Sequence, residues 1–163
     1  MDELFAPPGN DWQRVSPALA RLRRLLVGVT AALVVAVVVV LTLVFSLPTW
    51  LWVLLVALAL GLAGWGWWVI GRNVRWWGYA EREQDLYITH GAFFRGLVVV
   101  PYGRMQYVDV EAGPLDQLFK IANVHLHTAS PGTSARIPGL PVAEAARLRD
   151  RLTSQGEAQA AGL

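Results

Sequence analysis

The sequence predicts an α-helical transmembrane hairpin followed by an all-β domain that closes on a C-terminal helix. Three observations lead there. The run from Leu25 to Gly71 carries no charged residue, it is interrupted at Pro48, and the chain beyond it changes to short alternating strands. Charged residues make up 16% of the 163-residue chain, against roughly 25% in soluble proteins. All of them therefore lie in an N-terminal arm, residues 1–24, or in the part after the apolar run.

One transmembrane helix needs about 20 apolar residues, and the run supplies about twice that. The break is "SLPTW", where Pro48 cannot extend a helix ladder and Ser46 and Thr49 favour a turn. The expected spans are 25–47 and 50–70, within a hairpin of residues 25–71. A cleaved leader fits less well, because its apolar core would be only about 7–15 residues long and would not be followed by a second span. Arg14, Arg21, Arg23 and Arg24 precede the first span, and Arg72, Arg75 and Arg82 follow the second. The excess of arginine at both ends predicts a multi-pass protein of the cytoplasmic membrane with N- and C-termini in the cytoplasm.

Trp50 and Trp52 fall at the outer boundary, and Trp67, Trp68, Trp76 and Trp77 at the inner one, as in a belt of indoles at interfacial depth. Small residues mark close helix packing in a bilayer. Gly28, Ala32 and Ala36 on the first helix, with Ala57 and Gly61 on the second, are candidates for the seam of the hairpin or for a face toward a second copy or another protein. Neither span contains an ionisable residue, which argues against a proton relay or an ion path.

Residues 72–155 form the predicted cytoplasmic domain, with 156–163 as a flexible tail. "DLYITHG" alternates and ends in a tight turn at His90-Gly91, and "AFFRGLVVVPY" returns until Pro101 stops it. In "RMQYVDVE", Val108 and Val110 keep period two while Met105 is out of phase, so a bulge is expected near Gln106. "PLDQLF" spaces Leu115, Leu118 and Phe119 for one helical turn. "NVHLHTA" is a further strand, Pro131-Gly132 turns the chain, and "ARIPG" is the last short strand. In "LPVAEAARLRDRL", Pro141 sits in the first helical turn and Val142, Ala145, Leu148 and Leu152 share one face. Glu144 early and Arg147, Arg149 and Arg151 later suit the helix dipole.

The charge pattern and the residue inventory exclude several functions. The net charge of +2 comes largely from arginines beside the apolar run, and the domain alternates both signs, so nucleic acid is not an expected partner. The absence of cysteine excludes disulfide and thiolate chemistry. His125 and His127 share a strand face, but zinc needs three or four ligands, and His90 and Asp109 are the remaining candidates. Ser130, Thr133 and Ser134 lie in a Pro/Gly turn without a nucleophile elbow. The expectation is a non-enzymatic protein with no metal and no cofactor. Arg104 and Tyr107 are the candidates for direct contact with a ligand or a lipid headgroup, with pairing of Arg104 to Asp109 or Glu111 as the alternative.

The ordered set "LYITHGAFFR", "VPYGRMQYVDVEAGPLDQLFKIANVHLHTA", "IPGL" and "EAARLRDRL" resembles the bacterial pleckstrin-homology-like, membrane-flanked domain family, YdbS-like. The likeness runs from Leu25 to Leu152 and includes Trp76 and Tyr79 after the double span; Lys120 departs from it, where the family usually has glycine. The resemblance implies a pleckstrin-homology-like sandwich with a C-terminal capping helix. It also implies an interaction or assembly module, with some members linked to tolerance of membrane-active antimicrobials. The expected partners are membrane lipid and a protein: a second copy or a homologous multi-domain membrane protein. The alternative function is an accessory subunit of a larger membrane complex or transporter, with the hairpin as its main contact.

Overall fold

The computed structural model describes residues 11–45, 48–128 and 134–160, so Ser46, Leu47 and the Pro131-Gly132 turn lie outside the described residues. The order of elements is β1 (Gln13–Arg14), α1 (Pro17–Phe45), α2 (Thr49–Arg75), β2 (Gly78–Glu81), β3 (Asp85–His90), β4 (Gly96–Pro101), β5 (Met105–Glu111), α3 (Pro114–Leu118), β6 (Ile121–Thr128), β7 (Ala135–Pro141) and α4 (Val142–Ala160). Two compact units result: Ala20–Arg72, and the rest of the chain from both sides of it.

The first unit is the helical pair, and both helices are long and apolar enough to cross a membrane. Helix α1 begins at Pro17, eight residues before the expected Leu25. Ser16 caps it, accepting the amide of Ala18 on its hydroxyl at 3.2 Å, and Pro17 occupies the first helical position. Thr30 and Thr42 donate their hydroxyls back to the carbonyls of Leu26 and Val38, which satisfies them without an outside partner.

Val27, Ala31 and Val34 of α1 and Ala59 and Ala63 of α2 line a common groove of the helical pair. A Cβ on Gly66 would stand 3.6 Å from Val27. The expected seam through Gly28, Ala32, Ala36, Ala57 and Gly61 is not the one formed. All five are exposed, and a Cβ on Gly28 or Gly61 would meet nothing within 4 Å. They lie on a different side of each helix from the groove residues Val27, Ala31, Ala59 and Ala63, which leaves them on the outward face.

The second unit is a two-sheet sandwich. One sheet has the order β1-β2-β3-β4 and the other β5-β6-β7, all antiparallel. Leu86 and Val100 of the first sheet, Val124 and Ile137 of the second, and Ala145, Leu148 and Leu152 of α4 are fully buried and form the core. The phase slip expected near Gln106 is present as a register shift between Met105 and Tyr107. Val142 does not share the buried face of α4; it is exposed, because Pro141 ends β7 and the helix begins only after it.

Two elements extend beyond their expected limits. Residues 11–19 belong to the sandwich: β1 pairs with β2, and Val15, Ala18 and Leu19 are buried. Helix α4 continues to Ala160 through Gly156, where the expected flexible tail should have begun. Gly156 costs such a helix about 1 kcal/mol in propensity. A Cβ there would stand 3.8 Å from the carbonyl oxygen of Tyr102 and 3.9 Å from the methyl of Met105, ordinary contact distances.

Candidate functional site

The polar residues of "RMQYVDVE" separate into two places. Arg104 ends a short 3-10 turn, Tyr102–Arg104, and points to solvent; among the described residues it forms no ion pair with Asp109 or Glu111. Tyr107, 57% exposed, stands on β5 opposite His127 of β6, and the two rings stack at 4.3 Å and 12°. His125 continues this row at 6.5 Å from His127 and lies 3.5 Å from the carboxylate of Glu111. The histidines are thus half-buried members of a ring ladder. The strand alternation that places them on one face was visible in the sequence; the stack with Tyr107 needed the register of two strands.

Beside Tyr107, a shallow groove of ≈ 200 Å³ runs between β5 and α4, lined by Met105, Gln106, Val108, Leu152, Thr153 and Gly156. Arg104 does not line this groove. An open groove with an aromatic plate at its edge suits a side chain or a strand of a partner better than an enclosed small molecule. Among the described residues no three His, Cys, Asp or Glu side chains converge to hold a metal ion. His90 sits on the other sheet from Asp109, with its ring 5.3 Å from Trp77, and Ser134 is exposed; Ser130 and Thr133 lie outside the described residues.

The densest polar cluster is one the sequence reading missed. Glu81, at the end of β2, is almost fully buried and ion-paired to Arg147 and to Arg151, at 2.5 and 2.9 Å. Arg147 also holds Glu144 at 2.6 Å, and the Tyr79 hydroxyl donates to Glu144 at 2.6 Å while touching the Gln13 amide at 2.5 Å. Hydrogen bonds from Arg147 hold the Glu144 carboxyl below its ordinary value. Burial, and then the Glu144 carboxylate, push the Tyr79 phenol well above its own. No nucleophile stands beside a general base here; the cluster clamps α4 to β2 and β1. It escaped the sequence because Gly78, Tyr79 and Ala80 are all buried, so the strand shows no alternation to read.

The membrane-side aromatics pair with arginines. The Arg24 guanidinium lies over Trp67 at 5.2 Å and that of Arg72 over Trp68 at 5.8 Å, while Trp50 is exposed at the start of α2 and Trp52 is half-buried. From Thr49 to Trp67 the helix rises roughly 27 Å, close to the hydrocarbon thickness of a bilayer.

A profile of the bacterial PH domain family matches residues 22–156. The chain belongs to that family. This bacterial PH domain protein is also similar to the UPF0699 transmembrane protein YdbS of Bacillus subtilis (strain 168), with 39% identity over 77 residues. That match covers 47% of each chain, so the PH domain protein spans about half the length of that relative. A crystal structure of a DUF1696 family protein with a pleckstrin-homology domain from Shewanella loihica PV-4 aligns with a TM-score of 0.40 and 11% identity, over 51% of this chain and 73% of that one. The chain is thus a membrane protein with a bacterial PH domain, in which two apolar helices join to the two-sheet sandwich.

Proposed function

We propose that the chain is a membrane-anchored, non-enzymatic interaction module that presents its PH domain at the inner leaflet to a protein partner. The pairing of β1 with β2 carries this reading. Gln13 and Arg14, before α1, pair with Tyr79 and Gly78, after α2. A chain that leaves a folded domain, crosses twice and rejoins it has both ends on one side, and the arginines flanking the spans select the cytoplasmic side. Only Trp76 and Trp77 separate α2 from β2. Tyr107 and its groove are then the surface offered to the partner.

The test is a photo-crosslinking amino acid placed at Tyr107 and, in a second strain, at Gly61 on the outward face of the helical pair, with adducts identified by mass spectrometry. Protein adducts at Tyr107 are expected. Adducts confined to Gly61 would instead support the accessory-subunit reading, with the hairpin as main contact. A periplasm-dependent phosphatase fused to the C-terminus should stay inactive, and activity would overturn the orientation.

A further inference from the structure

The two helices of the hairpin end their apolar stretch side by side. Arg24 stands directly before the charge-free run, and Gly71 closes that run on α2. A Cβ on Gly71 would collide with the Arg24 guanidinium, so the glycine leaves the space that the guanidinium fills. The same group lies over the ring of Trp67, one turn back on α2, at 5.2 Å from its centroid. Arg24 thus reaches from α1 across to α2 at the edge of the apolar stretch, which is the depth of the headgroup layer. Stacking on an indole uses the face of a guanidinium and leaves its N–H donors in the plane. Among the described residues the buried Nε of Arg24 has no hydrogen-bond partner, and residues 20–72 contain no carboxylate side chain. A charged donor left without an acceptor is costly, and a phosphate oxygen is the acceptor that headgroup depth supplies.

A second feature begins one turn further into the apolar stretch. Val27, one turn from Arg24, and Ala63, one turn from Trp67, both line the open groove of ≈ 370 Å³ that continues along Thr30, Ala31, Val34 and Ala59. The hydroxyl of Thr30 is donated to the Leu26 carbonyl at 2.9 Å, so the side chains of the groove present hydrocarbon. From residue 27 to residue 34 the groove follows α1 for roughly 10 Å. A cation at headgroup depth, continued by an apolar groove, is complementary to a phosphate joined to an acyl chain.

We infer that Arg24 and this groove bind one anionic phospholipid of the inner leaflet, its phosphate on the guanidinium and one acyl chain along residues 27–34. This rests on the hairpin crossing the membrane as proposed above. An anionic headgroup is favoured over a zwitterionic one because Arg21 adds positive charge at the same end and residues 20–72 hold no acid to offset it.

The test is native mass spectrometry of the full chain in a neutral detergent, with dioleoyl phosphatidylglycerol or dioleoyl phosphatidylethanolamine added. The wild-type chain should retain one phosphatidylglycerol in preference to phosphatidylethanolamine. Arg24→Gln should lower that retention about tenfold, the equivalent of one charge-assisted contact. Arg149→Gln, the same loss of charge on an exposed face of α4, should leave it unchanged. Ala63→Phe, which fills the groove and keeps the guanidinium, should also lower it, and it keeps the test decisive if Arg24→Gln fails to fold. Equal retention of the two lipids, or equal loss in Arg24→Gln and Arg149→Gln, overturns the site. Full retention in Ala63→Phe overturns the place of the acyl chain. Inorganic phosphate in large excess should not displace the lipid, having no chain for the groove; displacement would assign Arg24 to free phosphate instead. A wild-type chain that retains neither lipid and is recovered as a dimer gives the groove to a second copy. The hairpin is checked separately by a nitroxide at Val37→Cys, an exposed position on α1 of a chain with no native cysteine, in vesicles of the same two lipids. A label with access to oxygen but not to a water-soluble nickel chelate, together with no preference for phosphatidylglycerol, overturns the site and leaves the hairpin standing. A label open to the nickel chelate overturns both.

Discussion

Gly139 shows how one residue joins the two ends of the chain. It sits in β7 with a φ of +67°, its amide donates to the side-chain oxygen of Asn123 at 3.1 Å, and its carbonyl accepts the amide of Ser16 at 3.0 Å. Asn123 is itself buried and donates to Asp116 at 3.1 Å, so the short helix α3, the sheet and the segment leading into α1 share one hydrogen-bond chain. A Cβ at position 139 would stand 2.6 Å from the Cβ of Leu19 and 2.9 Å from the rest of its side chain. Gly139→Ala therefore combines left-handed backbone strain with overpacking and should cost about 3 kcal/mol. Thermal unfolding of the full chain in nanodiscs, followed by near-ultraviolet circular dichroism, should show the drop. An unchanged midpoint would mean that the N-terminal segment does not rest on β7.

At the scale of elements, the clamp between α4, β2 and β1 sets a pH window. The folded-state pKa of Glu144 is lowered, so its contribution is present above the ordinary 4.5 and is lost as pH falls through that range. The pKa of Tyr79 is raised, so its contribution is present below the ordinary 10.0 and is lost as pH rises past it. Stability of the domain should be flat between these limits and fall on both sides, and Glu144→Gln should flatten the acid limb selectively. An acid limb identical in that variant would assign acid sensitivity to other carboxylates. Legibility at this scale followed the kind of signal each element carries. The strand β3, the second half of β6 and the core face of α4 could be read because one side is buried and the other wetter, as in Leu86 and Ile88 against Tyr87 and Thr89, whereas the turn at Leu115 was legible from spacing alone, since Leu115 and Leu118 are exposed. Strand β2 could not, since it is covered on both faces, and neither could the two-residue β1, which is too short to have a period. The start of α1 was written plainly in Ser16-Pro17 but lay outside the apolar run that drew the boundary at Leu25. Of the candidate site, Tyr107 and the histidines could be named from alternation, whereas their stacking and the separation of Arg104 depend on a register and a turn that no local pattern specifies.

For the whole molecule, the pairing of residues before α1 with residues after α2 means that the apolar hairpin is an insertion into a domain, not an anchor added to its end. The sandwich uses residues 11–19 as a structural part: Val15, Ala18 and Leu19 are buried, and β1 covers the outer edge of β2. An uncovered edge strand presents unpaired amides and carbonyls and invites pairing with another chain. Removing residues 1–16 leaves the helix with Pro17 at its start but deletes β1, the Val15 side chain and the Gln13 contact with Tyr79. Loss of one buried valine and of a few hydrogen bonds should cost about 2–4 kcal/mol. The truncated chain should therefore unfold at lower temperature in nanodiscs, and in detergent it should form larger species by size-exclusion chromatography as β2 edges meet. Replacing Gln13 alone by alanine should weaken the domain less and leave its size unchanged, because the edge remains covered. A truncated chain with an unaltered midpoint and size would make residues 1–16 an independent arm. The two halves of the chain would then be joined only through the helical pair, and β1 would no longer hold both ends of the chain on one side.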